Sequence, residues 1–241
     1  METLLIIQAR MGSKRLPGKI LKKLGDADVL SYVVKRSREI SGVEKIVIAT
    51  SNLEIDNSVS EWCEKENIEC FRGSEENVLS RFTLLNKIYN PKYIIRVTAD
   101  CPFIDIQLAE KMLEAIKEKD VDFIFYNEEV IPRGISVEVF SSKALRKIGE
   151  KATETYHKEH VTYYAYENAN EFSQIEFNLP EYLKHPEMRL TLDTEEDYIL
   201  LNLIAKRFNN IYEPTTNIIE FLSKESDILK INADIQQKSV K

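Results

Sequence analysis

Arg10, Lys14, Arg15, Lys19, Lys22 and Lys23 crowd a stretch that holds no acid between Glu2 and Asp26, in a chain of 241 residues whose formal net charge is −7. Cations gathered against the overall sign of a protein mark a place for a small anion. A loop leaving a strand can aim successive backbone N–H groups at a phosphate while Arg and Lys neutralise it. Gly12 and Gly18 allow close approach or positive φ in such a loop, and Pro17 stiffens it. Two familiar phosphate loops are excluded by spacing. Five residues rather than four separate Gly12 from Gly18-Lys19, and Ile20 stands where an ATPase loop needs a hydroxyl for magnesium. Ser13 and Lys14 follow Gly12, so the dinucleotide fingerprint fails as well.

Asp100 and Asp193 are the carboxylates that suit such a loop. Each follows directly on an apolar run that reads as a strand, 93–98 and 188–192, and in a parallel sheet the carboxyl ends of strands converge on one rim. Mg²⁺ keeps several waters and is commonly held by one or two carboxylates together with substrate phosphates, so two acids suffice. His157 and His160 stand three apart, as zinc ligands can, but no Cys or further His is near enough to complete a set. His160 fits a ligand-binding or proton-accepting role better.

The elements that must position these groups alternate. Strands are expected at 3–7, 45–50, 68–71, 93–98 and 121–126. Helices between them are marked by Val29, Leu30, Val33 and Val34, by Ile55, Val59, Trp62 and Cys63, by Val78, Leu79, Phe82 and Leu85, and by Leu108, Met112, Leu113 and Ile116. Ser74 is expected to cap the third helix, with Glu75 and Glu76 in its first turn, and Asp105 to cap the fourth. Repeated βα units imply an α/β fold: a mostly parallel central sheet in three layers, α/β/α. Beyond about residue 127 the rhythm loosens. Strands are expected at 135–140, 172–177 and 188–192, and helices at 142–148 and 155–168, the latter rich in tyrosine. Thr194-Glu-Glu-Asp197 matches a capping box, Pro214-Thr215 opens a last helix, and the polar tail from Asn232 is expected to fray.

Composition bounds the class. The chain suits one domain with a sizeable core. Its acidic balance argues against a nucleic-acid partner. Cys63, Cys70 and Cys101 lack metal-type spacing and read as reduced thiols of a cytoplasmic protein, with no signal peptide or membrane span.

Taken together, several motifs carry a resemblance. Ile7-Gln-Ala-Arg-Met-Gly-Ser-Lys-Arg-Leu-Pro-Gly-Lys19, Ile48-Ala-Thr-Ser51, Phe71-Arg-Gly-Ser-Glu-Glu-Asn-Val-Leu79, Arg96-Val-Thr-Ala-Asp-Cys-Pro102, Arg133-Gly-Ile-Ser-Val-Glu-Val-Phe140, Glu159-His-Val-Thr162 and Arg189-Leu-Thr-Leu-Asp-Thr-Glu-Glu-Asp197 cover most of the chain. It resembles the cytidylyltransferases of spore-coat polysaccharide synthesis, relatives of CMP-Kdo and CMP-sialic acid synthetases. The resemblance implies a Rossmann-like, GT-A-type nucleotidyltransferase in which an acceptor oxygen attacks the α-phosphate of CTP and pyrophosphate leaves. Ala9 and Arg10 would meet the nucleotide, with Met11, Gly12, Ser13, Arg15 and Lys19 around the triphosphate. Thr50 and Ser51 would lie near the base, Arg72 and Ser74 near base or ribose, and Asp100 and Asp193 would bind Mg²⁺. Arg133, Glu138, Glu159 and His160 would contact a sugar or sugar-acid acceptor. Residues 1–241 would form one domain, with about 128–187 serving acceptor binding and a homodimer contact near Tyr163. Gln8 departs from the Kdo enzymes, which carry proline there, and that departure bears on the acceptor rather than the reaction.

Phosphoryl-type transfer needs in-line positioning and neutralisation of the charge growing on the leaving group, which Arg15, Lys19 and a magnesium ion held by Asp100 can supply. Other readings stay open. A GT-A glycosyltransferase would present an Asp-x-Asp metal pair after a strand, but Asp120-Val-Asp122 precedes its strand and reads as a turn. A sugar-1-phosphate nucleotidyltransferase differs only in acceptor. A non-catalytic nucleotide sensor would have no need of two metal acids.

Overall fold

Apolar, β-branched runs that cannot face water on either side become the centre of the molecule. The computed structural model describes residues 1–237. Its strands are β1 (Thr3–Gln8), β2 (Lys23–Leu24), β3 (Ala27–Asp28), β4 (Lys45–Ser51), β5 (Glu69–Gly73), β6 (Tyr93–Thr98), β7 (Phe123–Phe125), β8 (Glu138–Ser141) and β9 (Gln174–Glu176). The main sheet has the order β5-β4-β1-β6-β8-β7-β9, and β2 pairs with β3 in a separate small hairpin. β5, β4, β1 and β6 run parallel, with Ile6 opposite both Val47 and Arg96. β8 runs antiparallel to β6 and β7, and β7 is parallel to β9.

Alternation along β1 sends side chains into two cores. Leu5 and Ile7 pack with Ile48 and Ile95 under α1 (Val29–Arg38), α2 (Asn57–Lys65), α4 (Ile106–Lys119), α8 (Glu195–Phe208) and α9 (Thr215–Lys224). Leu4 and Ile6 pack with Val47 and Ile94 under α3 (Val78–Tyr89) and α5 (Ser142–Lys151). These strands are covered on both faces, which is why they read as continuous apolar runs. Each fully buried Leu or Ile contributes roughly 1.5–3 kcal/mol relative to exposure.

Local signals decide several boundaries. Asp105 caps α4 by accepting from Leu108 N at 2.7 Å, and Thr194 and Asp197 form the reciprocal capping box of α8. At α3 the expected cap is displaced. Asn77 accepts from Ser80 N at 3.0 Å and is the N-cap, whereas Ser74 Oγ accepts from Asn77 N at 3.1 Å and builds the preceding turn. Glu75 and Glu76 therefore lie before the helix.

Region 155–168 is two short helices, α6 (Thr155–Glu159) and α7 (Tyr163–Glu167), rather than one. Val161 takes a positive φ of 25° and is fully buried, and Thr162 turns inward to donate to Glu138. Core packing and that hydrogen bond override the helical pattern. The tyrosines pack within the chain: Tyr156 meets Tyr163 edge to face at 5.6 Å, and Tyr166 meets Phe125 at 4.9 Å.

Residues 188–192 do not join the main sheet; they form an isolated parallel bridge, Arg133 to Arg189. Asn232 does not fray, being buried, with its amide donating to Arg189 O at 3.0 Å and Asp197 Oδ1 at 2.8 Å. The part of that tail at 238–241 lies outside the described residues. The helix opened at Pro214-Thr215 is not the last among the described residues, because a short α10 (Ser226–Leu229) follows it.

Candidate active site

The basic loop begins where β1 ends. Ala9 N donates to Ala49 O at 3.1 Å, and Met11 N donates to Asp56 Oδ1 at 2.7 Å. Asp56 is buried and also takes the backbone N–H and hydroxyl of Ser51, so one carboxylate fastens the loop to the end of β4. Gly18 closes the loop with φ of 68° and donates to Met11 O at 3.2 Å. That left-handed residue is readily supplied only by glycine and turns the next residue, Lys19, back toward the sheet. Gly12 has open space around it, so close approach rather than backbone strain suits a glycine there.

Lys19 is the hub. Its ammonium donates to Asp100 Oδ2 at 2.6 Å, to Asp193 Oδ1 at 2.8 Å and to Leu192 O at 2.7 Å. Burial pulls this ammonium down, but the two carboxylates outweigh it and hold the group above its ordinary value. Asp193 is pushed up by burial and pulled further down by Lys19, Arg15 and Arg189, so it ends below the usual carboxylate range. Arg15 reaches Asp193 Oδ2 at 3.0 Å and Arg189 reaches it at 2.8 Å. Arg189 is itself oriented by buried Asp197, which caps α8.

Asp193 arrives at this rim by a route other than a sheet strand. Arg133 N donates to Met188 O, Leu190 N to Arg133 O and Leu192 N to Asp100 O. The segment is thus laid across the loop after β6. Gly134 permits the crossing: its φ is 98°, and an added Cβ would lie 2.6 Å from Thr191 N and 2.7 Å from Leu190 C.

Two carboxylates converging on a single cationic point supply hard oxygen donors of the kind magnesium takes alongside phosphates and water. Among the described residues no group of three or more His, Cys, Asp or Glu forms a fuller metal cage. Cys101, beside Asp100, is pushed up to about 12 by burial and then by that carboxylate, so it is a protonated thiol and no nucleophile. The Asp120-Val-Asp122 pair lies at the opposite, amino end of the sheet. Asp120 is the left-handed cap of α4, and Asp122 is spent on Ser141 and Ser173.

The other expected residues fall into two groups around this centre. Thr50 and Ser51 are fully buried at the end of β4, and Thr50 Oγ1 has no partner among the described residues. Arg72 wraps the loop after β4, donating to Ser51 O, Leu53 O and Asn57 Oδ1. On the other side Arg10 bridges Glu75 at 3.1 Å and Glu159 at 3.5 Å, tying the loop to α6. His160 follows, held below its ordinary value by burial and within the field of Glu159, Arg96, Glu138 and Arg10. Glu138 on β8 pairs with Arg96 on β6 and accepts from Thr162. Arg133 is exposed and acts electrostatically on Glu128, whose carboxyl burial and then Glu138 hold above its ordinary value.

Asp56, Arg96 and Arg189 brace these residues without being expected at the site, although Arg96 and Arg189 open two of the motifs. Arg96 sits in a strand otherwise apolar, and that lone charge was the available signal. It donates through Nε and Nη2 to Gln8 Oε1 at 3.2 and 2.9 Å.

Comparison with known proteins shows the family. A family model described as Cytidylyltransferase matches residues 4–238. The chain is 40% identical over 203 residues to the spore coat polysaccharide biosynthesis protein SpsF of Bacillus subtilis, covering 82% of this chain and 83% of that protein. A 3-deoxy-manno-octulosonate cytidylyltransferase of Mesorhizobium japonicum is 27% identical over 137 residues, 54% of each chain. A solved cytidylyltransferase of Leptospira borgpetersenii superposes with a TM-score of 0.89 at 30% identity, covering 99% of this chain and all of that one.

Proposed function

This chain belongs to the cytidylyltransferase family, and we propose that it joins the CMP of CTP to an oxygen of a sugar or sugar-acid acceptor, releasing pyrophosphate, in the synthesis of a surface polysaccharide. The acceptor oxygen bonds to the α-phosphorus, the bond from that phosphorus to the bridging oxygen breaks, and the acceptor's proton leaves to a base. Lys19 and Arg15 face the triphosphate and neutralise charge on the departing pyrophosphate. Magnesium, when bound, supplies further positive charge at the phosphates, and Asp100 and Asp193 are the residues that would hold it. On this reading His160, neutral at pH 7, takes the proton, and Glu159, Glu138 and Arg133 contact the acceptor.

Ala9, Arg10, Met11, Gly12 and Ser13 line the nucleotide's path. Thr50, Ser51, Arg72 and Ser74 frame the base and ribose, where the unpartnered hydroxyl of Thr50 would find an acceptor or donor on the base. A homodimer contacting near Tyr163 belongs to the same reading, and light scattering in solution tests it.

The observation that carries this reading is the meeting of Lys19, Asp100 and Asp193 within 2.8 Å at the mouth of the basic loop. The deciding assay is pyrophosphate release from CTP and Mg²⁺ with a panel containing Kdo, N-acetylneuraminic acid and neutral sugars. Turnover with one acceptor, reduced by about 10²–10³ in Asp100→Asn, is expected. Tight CTP binding with no pyrophosphate from any acceptor would favour a nucleotide sensor instead.

A further inference from the structure

We propose that Lys19 is a displaceable stand-in for the divalent cation: its ammonium fills the seat between Asp100 and Asp193 in the nucleotide-free protein, and a metal ion enters only with the triphosphate that draws it away. The inference rests on reading Asp100 and Asp193 as the metal acids, and it adds an order of events to that reading.

All three ammonium hydrogens are spent, on Asp100 Oδ2, Asp193 Oδ1 and Leu192 O, at 2.6–2.8 Å. A magnesium ion bound to the same two oxygens would lie about 2.0–2.1 Å from each, so ion and ammonium cannot share the space. The charges also balance without a metal. Lys19 and Arg15 offset Asp100 and Asp193, and Arg189 offsets Asp197. Asp193 has no idle oxygen, since Oδ1 serves Lys19 while Oδ2 serves Arg15 and Arg189. A free dication therefore meets a charge-neutral cluster in which Asp100 Oδ1 holds, among the described residues, no closer partner than the Cys101 thiol at 3.7 Å, and it must expel a cation to sit between the two acids.

A polyanionic triphosphate changes that balance. It offers Lys19 and Arg15 new partners and leaves the two carboxylates short of positive charge. Lysine suits the exchange because a compact ammonium on a flexible four-carbon stem can swing where a planar guanidinium bonded at several points cannot. Cation and nucleotide should then bind with strong mutual coupling, each raising the affinity for the other by the same factor.

Manganese binding to the full-length protein, followed by electron paramagnetic resonance without nucleotide, tests this with no acceptor needed. Lys19→Gln and Lys19→Met should bind Mn²⁺ about tenfold or more tightly than wild type, as expected for removing a charge a few ångströms from the ion. Lys19→Arg should stay weak, and Asp100→Asn should abolish the gain in the Lys19→Gln background. Circular dichroism melting checks that each variant folds.

Equal or weaker Mn²⁺ binding in folded Lys19→Gln and Lys19→Met overturns the stand-in. So does wild-type protein that takes up Mn²⁺ as tightly without CTP as with it, a comparison that needs no variant. Failure of the parent reading looks different: Mn²⁺ uptake in the presence of CTP would then be indifferent to Asp100→Asn.

Discussion

At the scale of single residues, the centre is a three-way contact whose members were legible from two separate signals. Lys19 stood out because cations cluster there against the net charge, and Asp100 and Asp193 because each ends an apolar run. Their supports were not legible. Asp56, Arg96 and Arg189 act through partners 40 to 90 positions away or through a turn the sequence does not announce, and a lone buried charge reads the same whether it binds substrate or another side chain. Lys19→Ala removes the ammonium from both acids and, on the proposed reading, from the triphosphate, and steady-state turnover should fall by about 10²–10³ with the circular dichroism spectrum unchanged. His160 gives a pH test. Burial holds the folded imidazole below its ordinary value of 6.5, so it is neutral above that lower value and protonated only beneath it. A base must be neutral, and activity should therefore be full above pH 6.5 and decline as pH falls through the depressed value. The acid limb of kcat/KM for the acceptor is expected below pH 6.5 and should vanish in His160→Gln. A limb at or above 6.5 that survives the substitution removes His160 from the proton path.

At the scale of elements, the site depends on a crossing that is not regular structure. The parallel strands, the Asp105 cap and the Thr194–Asp197 box follow from local periodicity and capping chemistry, and each is found where its residues say. The break between α6 and α7 is not local, because Val161 leaves the helix to enter the core and Thr162 to meet Glu138. The alternation at 188–192 likewise looks like a strand, but its backbone bonds to the short stretch at Arg133 and the loop at Asp100 instead of joining the main sheet. Gly134 is the hinge of that arrangement. Gly134→Ala would push a methyl group into the backbone of Leu190 and Thr191 at a φ of 98°, costing several kcal/mol in strain and displacement. Urea denaturation should show a lower midpoint. Residual activity should fall more than stability alone explains, since Asp193 shifts with the segment. An unaltered midpoint and full activity would mean the segment is held by something other than this crossing.

At the scale of the whole molecule, the C-terminal third must be fastened to the N-terminal sheet for Asp193 to face Lys19 at all. Arg36 on α1 makes a buried polar tie of this kind, spanning forward to the chain beyond α8, and Gly25 N donates to Asn202 Oδ1 at 3.0 Å, while Asn232 braces the C-terminal part internally through Arg189 and Asp197. The Arg36 side chain is essentially inaccessible, donating to Ile104 O at 3.0 Å, to Ile211 O and Glu213 O at 2.8 Å each, and to Thr215 Oγ1 at 3.2 Å. Burial lowers its affinity for a proton to about 10, with Asp105 and then Glu213 opposing, yet it stays charged through the physiological range. Arg36→Ala would leave carbonyls buried without donors and open a cavity between α1, α4 and α9. The expected loss is about 3 kcal/mol or more, because unmade buried hydrogen bonds cost the desolvation of every group left behind. None of the groups Arg36 bonds belongs to the basic loop, so the substitution separates fastening from chemistry. Chemical denaturation should show the loss in full. Turnover per folded molecule at low temperature should remain near wild type so long as α8 and Asp193 keep their place. If denaturation is unchanged, the N- and C-terminal parts are held by their other contacts, and Arg36 is a passenger between them.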